Sequence, residues 1–149
     1  MGRLTERLTG NLVLGLDTSV FIYHLEAHPR YLPLTHELLA GIQNGHWQGV
    51  TSVITIMEIT VHPWQLGRPG VAREYEALLA NYPGLLVSDV TRDIARRAAQ
   101  LRAAYRLWPA DALQAATAQV GGATAFVTND RVLARLAPAM DVVLLEDLA

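Results

Sequence analysis

The chain has 149 residues, enough for one domain with a real core, and its balance of 51% hydrophobic and 17% charged residues excludes a disordered polymer. It has no cysteine, hence no disulfide framework and no thiolate metal site, and its net charge of −2 gives no global attraction for nucleic acid. All twelve basic residues are arginine, so P-loop NTPases and Schiff-base enzymes, which need a lysine, are excluded.

Residues 1–10 read as a polar arm or frayed helix ahead of a domain spanning 11–149. No apolar run reaches the roughly 20 residues of a membrane helix. The start, Met1-Gly2-Arg3-Leu4-Thr5-Glu6-Arg7, has no signal-peptide core, so a cytoplasmic location is expected. The first strand, 12–17, is an apolar run closing on Asp17-Thr18-Ser19. Helices follow at 18–27 and at 31–44, the second stopped by Asn44-Gly45. A strand from Trp47 to Thr51 leads into a third helix that runs to about Val61, where Pro63 should stop it.

A fourth helix is expected at 71–81 and a strand at Leu85-Leu86-Val87. The fifth helix, 91–107, places Ile94, Ala98, Leu101 and Tyr105 on one face. Pro109 opens a sixth, Ala-rich helix. Strand 124–128, a brief helix at 131–136 and a last strand at 141–145 complete the chain. Short apolar runs alternating with helices predict one α/β domain, a parallel sheet of about five strands with helices on both faces.

Four acids stand where this topology would bring them to one edge: Asp17, Glu58, Asp111 and Asp130. Each also has a local explanation. Asp17 and Asp130 are good helix caps. Glu58 closes a Thr-x-x-Glu capping box from Thr55, unless the helix starts at Ser52 and leaves Glu58 in its interior. Asp111 compensates the dipole of its helix from the first turn. Together they are harder to dismiss. Two carboxylates about 4 Å apart repel by about 4 kcal/mol at an effective dielectric near 20, so such a cluster needs protons or a cation. Oxygen ligands without cysteine or clustered histidine select Mg²⁺ or Mn²⁺. Phosphoryl-aspartate chemistry is disfavoured, because Ser19 stands where a second aspartate would be needed.

The residues Asp17-Thr18-Ser19, Ser52-x-x-Thr55-x-x-Glu58, Pro109-Ala110-Asp111-Ala112-Leu113-Gln114-Ala115-Ala116-Thr117-Ala118 and Thr128-Asn129-Asp130 form a familiar series. In that order the chain resembles the PIN-domain ribonucleases, and most closely the small VapC-type toxins of bacterial toxin–antitoxin pairs. The resemblance implies that Asp17, Glu58, Asp111 and Asp130 form a catalytic metal site, supported by Thr18, Ser19, Thr128 and Asn129. It implies Mg²⁺-dependent hydrolysis of RNA phosphodiesters, a small antitoxin that covers the site and a homodimer as the unit. Helices 18–27, 31–44 and 52–62 are the expected antitoxin surface.

For holding RNA, Arg92, Arg96, Arg102 and Arg106 fall within an arc of about 120° on the fifth helix; a solvated face paired with acids is the plainer reading. Trp108 stacks on a base or, as most such tryptophans do, packs in a core or interface. Trp47, Trp64 and Tyr75 read as structural or interfacial, and the five histidines show no metal spacing. Two other functions remain open: a non-catalytic PIN-like module acting through protein or RNA contacts, and a phosphohydrolase of small nucleotides.

Overall fold

The computed structural model describes residues 2–149. Strands β1 (Val13–Leu16), β2 (Gln48–Ser52), β3 (Leu85–Ser88), β4 (Ala125–Thr128) and β5 (Asp141–Leu144) form one parallel sheet in the order β3-β2-β1-β4-β5. The helices are α1 (Arg3–Arg7), α2 (Thr18–Leu25), α3 (Leu32–Gln43), α4 (Val53–Gln65), α5 (Pro69–Ala80), α6 (Arg92–Tyr105) and α7 (Pro109–Val120). Two 3-10 turns, Arg131–Leu136 and Leu145–Asp147, flank β5. The α/β architecture expected from the alternation of runs is the one observed.

Alternation along each strand divides the core in two. Leu14 and Leu16 of β1, with Ala125 and Val127 of β4, join the cluster built by α1, α2 and α3. Phe126 of β4 faces the other way, into a cluster of Ile94, Ala98 and Leu101 from α6 and Ala112, Ala115 and Ala116 from α7. Gly15 lies on that second face: a Cβ there would fall 2.4 Å from the Cβ of Ala118 and 2.8 Å from Phe126. Glycine on the strand and alanine on the helix let α7 lie directly on β1.

From β1 the chain lays down β2 and β3 on one side, then crosses to the other for β4 and β5. β1 and β4 therefore flank the switch point, the place where such sheets leave a ligand crevice beyond the carboxyl ends of their strands. Asp17 follows β1 immediately, and Asp130 lies two residues past β4.

Three expectations need correction. Of the two readings of the N-terminal stretch, an arm or a frayed helix, the described residues form a helix, Arg3–Arg7, and it is docked, since Leu4 and Leu8 are fully buried in the core. Arg7 adds a two-pronged contact to Asp141 at 2.7 and 2.6 Å, and the Thr5 N–H donates to Glu37 at 2.8 Å. Pro63 does not stop α4, which runs on to Gln65. Its ring is buried, in a groove shared with Ile22 and Leu25 of α2 and Val71 and Tyr75 of α5, so packing offsets the lost N–H. The fifth helix ends at Tyr105, and Arg106 turns left-handed at φ 56°.

Leu8→Ala should therefore cost about 2–5 kcal/mol of stability in urea denaturation, as for other buried leucines. A value near zero would return residues 1–10 to the status of an arm.

Candidate active site

Asp17 is placed by the end of the sheet itself. Its N–H donates to Val127 O at 3.0 Å, continuing the β1–β4 ladder, and its extended backbone then starts α2. One carboxylate oxygen accepts from the N–H of Thr18 at 2.9 Å and the other from the hydroxyl of Thr128 at 2.6 Å. Thr128 Oγ1 in turn accepts from the N–H of Asp130 at 3.1 Å. Asp130 caps the 3-10 turn by accepting from the N–H of Val132 at 3.0 Å. Both aspartates thus serve as caps, and Thr128 bridges them across the switch point.

Glu58 is not in a capping box. The N-cap of α4 is Ser52, whose hydroxyl accepts from the N–H of Ile54 at 3.1 Å, and Glu58 lies well inside the helix. The hydroxyl of Thr18 donates to its carboxylate at 2.7 Å. That contact belongs to a buried polar network centred on Gln114 of α7. Its Oε1 accepts from the N–H of Ser52 at 3.4 Å, and its Nε2 donates to Thr18 Oγ1 at 3.1 Å and Thr55 Oγ1 at 2.8 Å. Thr51 gives its proton to Leu16 O at 2.9 Å, so the 2.8 Å contact between Thr51 and Thr55 takes its proton from Thr55. Every donor in the network has an acceptor. Sequence reasoning missed Gln114 as a functional residue. The available signal was an amide on the mostly alanine face of α7, where the other buried polar residue is Thr117.

Asp17 and Asp111 feel the charges of neighbouring acids. Burial, opposed by the Thr128 and Thr18 hydrogen bonds and reinforced by the charges of Asp111 and Glu58, raises the Asp17 carboxyl to about 6. Asp111, the third residue of α7, is also raised, first by burial and then by Asp130 and Glu58. Yet the acids are not gathered into a cage. Among the described residues, no three His, Asp or Glu side chains form a metal-holding group as they stand. Each of three is turned to a neighbour: Asp17 to Thr128, Glu58 to Thr18, and Asp130 to its own helix start.

The supporting residues divide. Thr18 and Thr128 orient carboxylates, whereas Asn129 donates to Tyr23 Oη at 3.1 Å and accepts from the N–H of Glu146 at 2.8 Å, an anchoring role. Ser19 Oγ is buried without a hydrogen-bond partner. The arginine stripe is broken. Arg96 pairs with Asp93 at 2.8 Å, Arg102 donates to Leu107 O at 3.1 Å, and Arg106 lies beyond the helix. Trp47 is buried, as expected, but Trp108 is 72% exposed and belongs to no core.

A family model described as PIN domain matches residues 15–138. No curated protein matches the chain in sequence. Among solved structures, the chain is similar to a toxin–antitoxin complex from Klebsiella pneumoniae, at 24% identity over 89% of this chain and 97% of that one, with a TM-score of 0.66. It is also similar to VapBC2 from Rickettsia felis bound to a DNA fragment from their promoter (17% identity, 89% and 98% covered, TM-score 0.70). DNA-bound VapBC from Salmonella typhimurium gives 20% identity, 90% and 98% covered, and a TM-score of 0.66. At these identities the likeness to solved structures is one of fold.

Two predictions follow from the site's energetics. In the folded metal-free protein Asp17 keeps its proton to about pH 6, against an ordinary value of 3.8. The native state therefore binds more protons between those values, and stability falls as pH rises through that window. Asp17→Asn should then raise stability by about 2–3 kcal/mol at pH 7.5 and give no gain at pH 4, measured by denaturant melts in EDTA. A gain of equal size at both pH values would show that repulsion and burial of charge are not the cause. Gln114→Leu leaves the buried Ser52 N–H without its acceptor and should cost about 1–3 kcal/mol in the same melts. A neutral result would remove Gln114 from the centre of the network.

Proposed function

This chain belongs to the PIN domain family, and from that premise we propose that it is a metal-dependent endoribonuclease, the toxin of a toxin–antitoxin pair. The observation that carries the reading is the coupling of Asp17 and Asp111 with Glu58 and Asp130 at the switch-point edge. Neighbouring carboxylates that raise the proton affinity of Asp17 and Asp111 form a site short of positive charge. The donor set, all oxygen, matches a hard divalent cation, Mg²⁺ or Mn²⁺. Asp17 and Asp111, with Glu58 or Asp130, would hold the ion directly, and the remaining acid would complete the site. When bound, such an ion supplies Lewis-acid polarisation of a phosphate and acidifies water.

The chain's own residues do the rest. Thr128 and the N–H of Thr18 fix both oxygens of Asp17, so its carboxylate is aimed before any substrate arrives. Thr18, itself held by Gln114, does the same for Glu58. A carboxylate not engaged by the ion orients the attacking water and accepts its proton; Glu58 or Asp130 takes that part. The product is an RNA chain hydrolysed at one phosphodiester.

The partners proposed are a small antitoxin and a second copy of the chain. An apolar cavity of ≈ 340 Å³, lined by Phe21, Leu25, Leu39, Ile59, Tyr75 and Leu79, opens among α2, α3, α4 and α5 and offers an antitoxin helix a seat. It includes none of the four acids, so a partner seated there reaches the site only by a further segment. Met57, Val61 and Trp64 form an exposed apolar stripe on α4 at helical spacing, a surface for the homodimer. No described helix is long and apolar enough to cross a membrane.

A second reading has support of its own: the caps made by Asp17 and Asp130, and the dispersed carboxylates, also suit a non-catalytic module. Metal binding separates the two. Mg²⁺ or Mn²⁺ at 100 times its dissociation constant should stabilise the wild-type protein by about 2.7 kcal/mol relative to EDTA. Asp17→Asn should abolish that increment together with cleavage of RNA. No metal response at millimolar ion, with no cleavage, would favour the binding module.

A further inference from the structure

The best-built surface outside the acids lies one helical turn before Asp111. Trp108 is the N-cap of α7, 72% exposed, and is followed by Pro109, which fixes the backbone where the helix starts. The residues before it are pinned. Leu107 is buried, its carbonyl accepts from Arg102 Nε at 3.1 Å, and the carbonyl of Arg106 accepts from Arg135 at 3.0 Å. Arg102, Arg106 and Trp108 together line a shallow groove. Among the described residues neither Arg102, Arg106 nor Arg135 is paired with a carboxylate, whereas Arg7, Arg96 and Arg131 are. Arg106 moreover adopts a left-handed backbone at φ 56°, where glycine would be cheaper.

We propose that Trp108, Arg102 and Arg106 form a subsite for one unpaired nucleotide of single-stranded RNA, the indole stacking on the base and the guanidiniums holding the flanking phosphates. The proposal rests on the ribonuclease reading for its ligand. Charge complementarity selects RNA over a protein segment as the occupant. A strand whose scissile phosphate sits among four carboxylates must be held by cations near that cluster, and this groove sets two guanidiniums without a carboxylate partner beside the N-cap of the helix that bears Asp111. An exposed indole beside them gives sequence-tolerant grip, since every base has a stacking face. A rigid platform at the N-cap of α7 fixes the distance between the stacked base and Asp111. The site therefore sets which phosphate of the strand reaches the acids.

The test uses the cleavage-deficient Asp17→Asn protein and an unstructured, end-labelled 12-nucleotide RNA, with affinity read by fluorescence anisotropy at fixed salt. Adding Trp108→Ala should weaken binding about 5- to 100-fold, the range for loss of one stacked base, and Trp108→Phe should recover most of it. Arg106→Gly should leave the melting temperature unchanged or higher, yet weaken binding and flatten its salt dependence by about 0.7 in log–log slope. In the Asp17 wild-type background the same indole substitution should raise KM for RNA cleavage. Cleavage that persists with an unchanged KM would overturn the subsite and leave the nuclease reading intact. RNA binding that depends on Trp108 in a protein that cleaves nothing would sustain the subsite and remove the nuclease reading. If Trp108→Ala instead dissociates a dimer in sedimentation while RNA affinity stays the same, the indole belongs to a protein interface and the proposal fails.

Discussion

The side-chain amide of Gln114 is the contact on which the arrangement of this molecule turns. It is buried on α7, between the ends of β1 and β2, and it has only one consistent orientation. The Ser52 N–H demands an acceptor, so the oxygen must face β2 and the amide protons must face Thr18 and Thr55. With Gln114 donating to both hydroxyls, their own protons go elsewhere, that of Thr18 to Glu58 and that of Thr55 to Thr51. A single amide thereby fixes the rotamers of three residues on three elements and the aim of one carboxylate. Buried polar networks specify a structure only when every member is satisfied, and this one is.

The network works because α7 can approach the sheet closely. Gly15 on β1 and Ala118 on α7 leave no room for a larger residue between them. Ala112, Ala115 and Ala116 are buried in the core on the same face of the sheet as Phe126. The small residues that look like mere filler in the sequence hold Asp111 at the depth where it meets the charges of Glu58 and Asp130. Core packing and site electrostatics are one constraint here. The acids destabilise the fold where they stand, and the hydrogen bonds from Thr18 and Thr128 recover only part of that cost, since Asp17 remains raised to about 6.

How much of this was legible in the sequence follows from which interactions are local. The strands, the end of α3 and the start of α7 were readable, because apolar runs, Asn44-Gly45 and Pro109 act through the backbone next to them, whereas α5 starts at Pro69, two residues before the expected 71. The arrival of the acids at one edge was readable from topology alone. Three features were not. Leu4 and Leu8 belong to a helix too short to show a period, so their burial depends on β-strands and helices far away in the chain. Pro63 is a helix breaker by local rules and is overruled by packing in the α2–α5 groove. The arc of arginines assumed a helix continuing to 107, and the left-handed turn at Arg106 ends it earlier for want of any glycine signal. Gln114 was visible but mute, since an amide's partners cannot be named before the fold brings them together.

That left-handed turn connects the two charge regions of the molecule. Helix α6 carries the arginines and α7 carries Asp111, and the two pack side by side, with Arg97 Nε donating to Gln119 Oε1 at 2.7 Å across the interface. Had α6 continued to Leu107, the buried leucine and the exposed indole after it would have rotated with the helix. The chain instead reverses at Arg106, buries Leu107, and leaves Trp108 outward at the first turn of the helix that bears Asp111. Cations and acids therefore sit at a fixed offset along one rigid corner. On the subsite proposed above, an anionic polymer meeting that corner would have its backbone attracted on one side and a phosphate directed to the acids on the other. In such an encounter the local field would matter more than the net charge of −2.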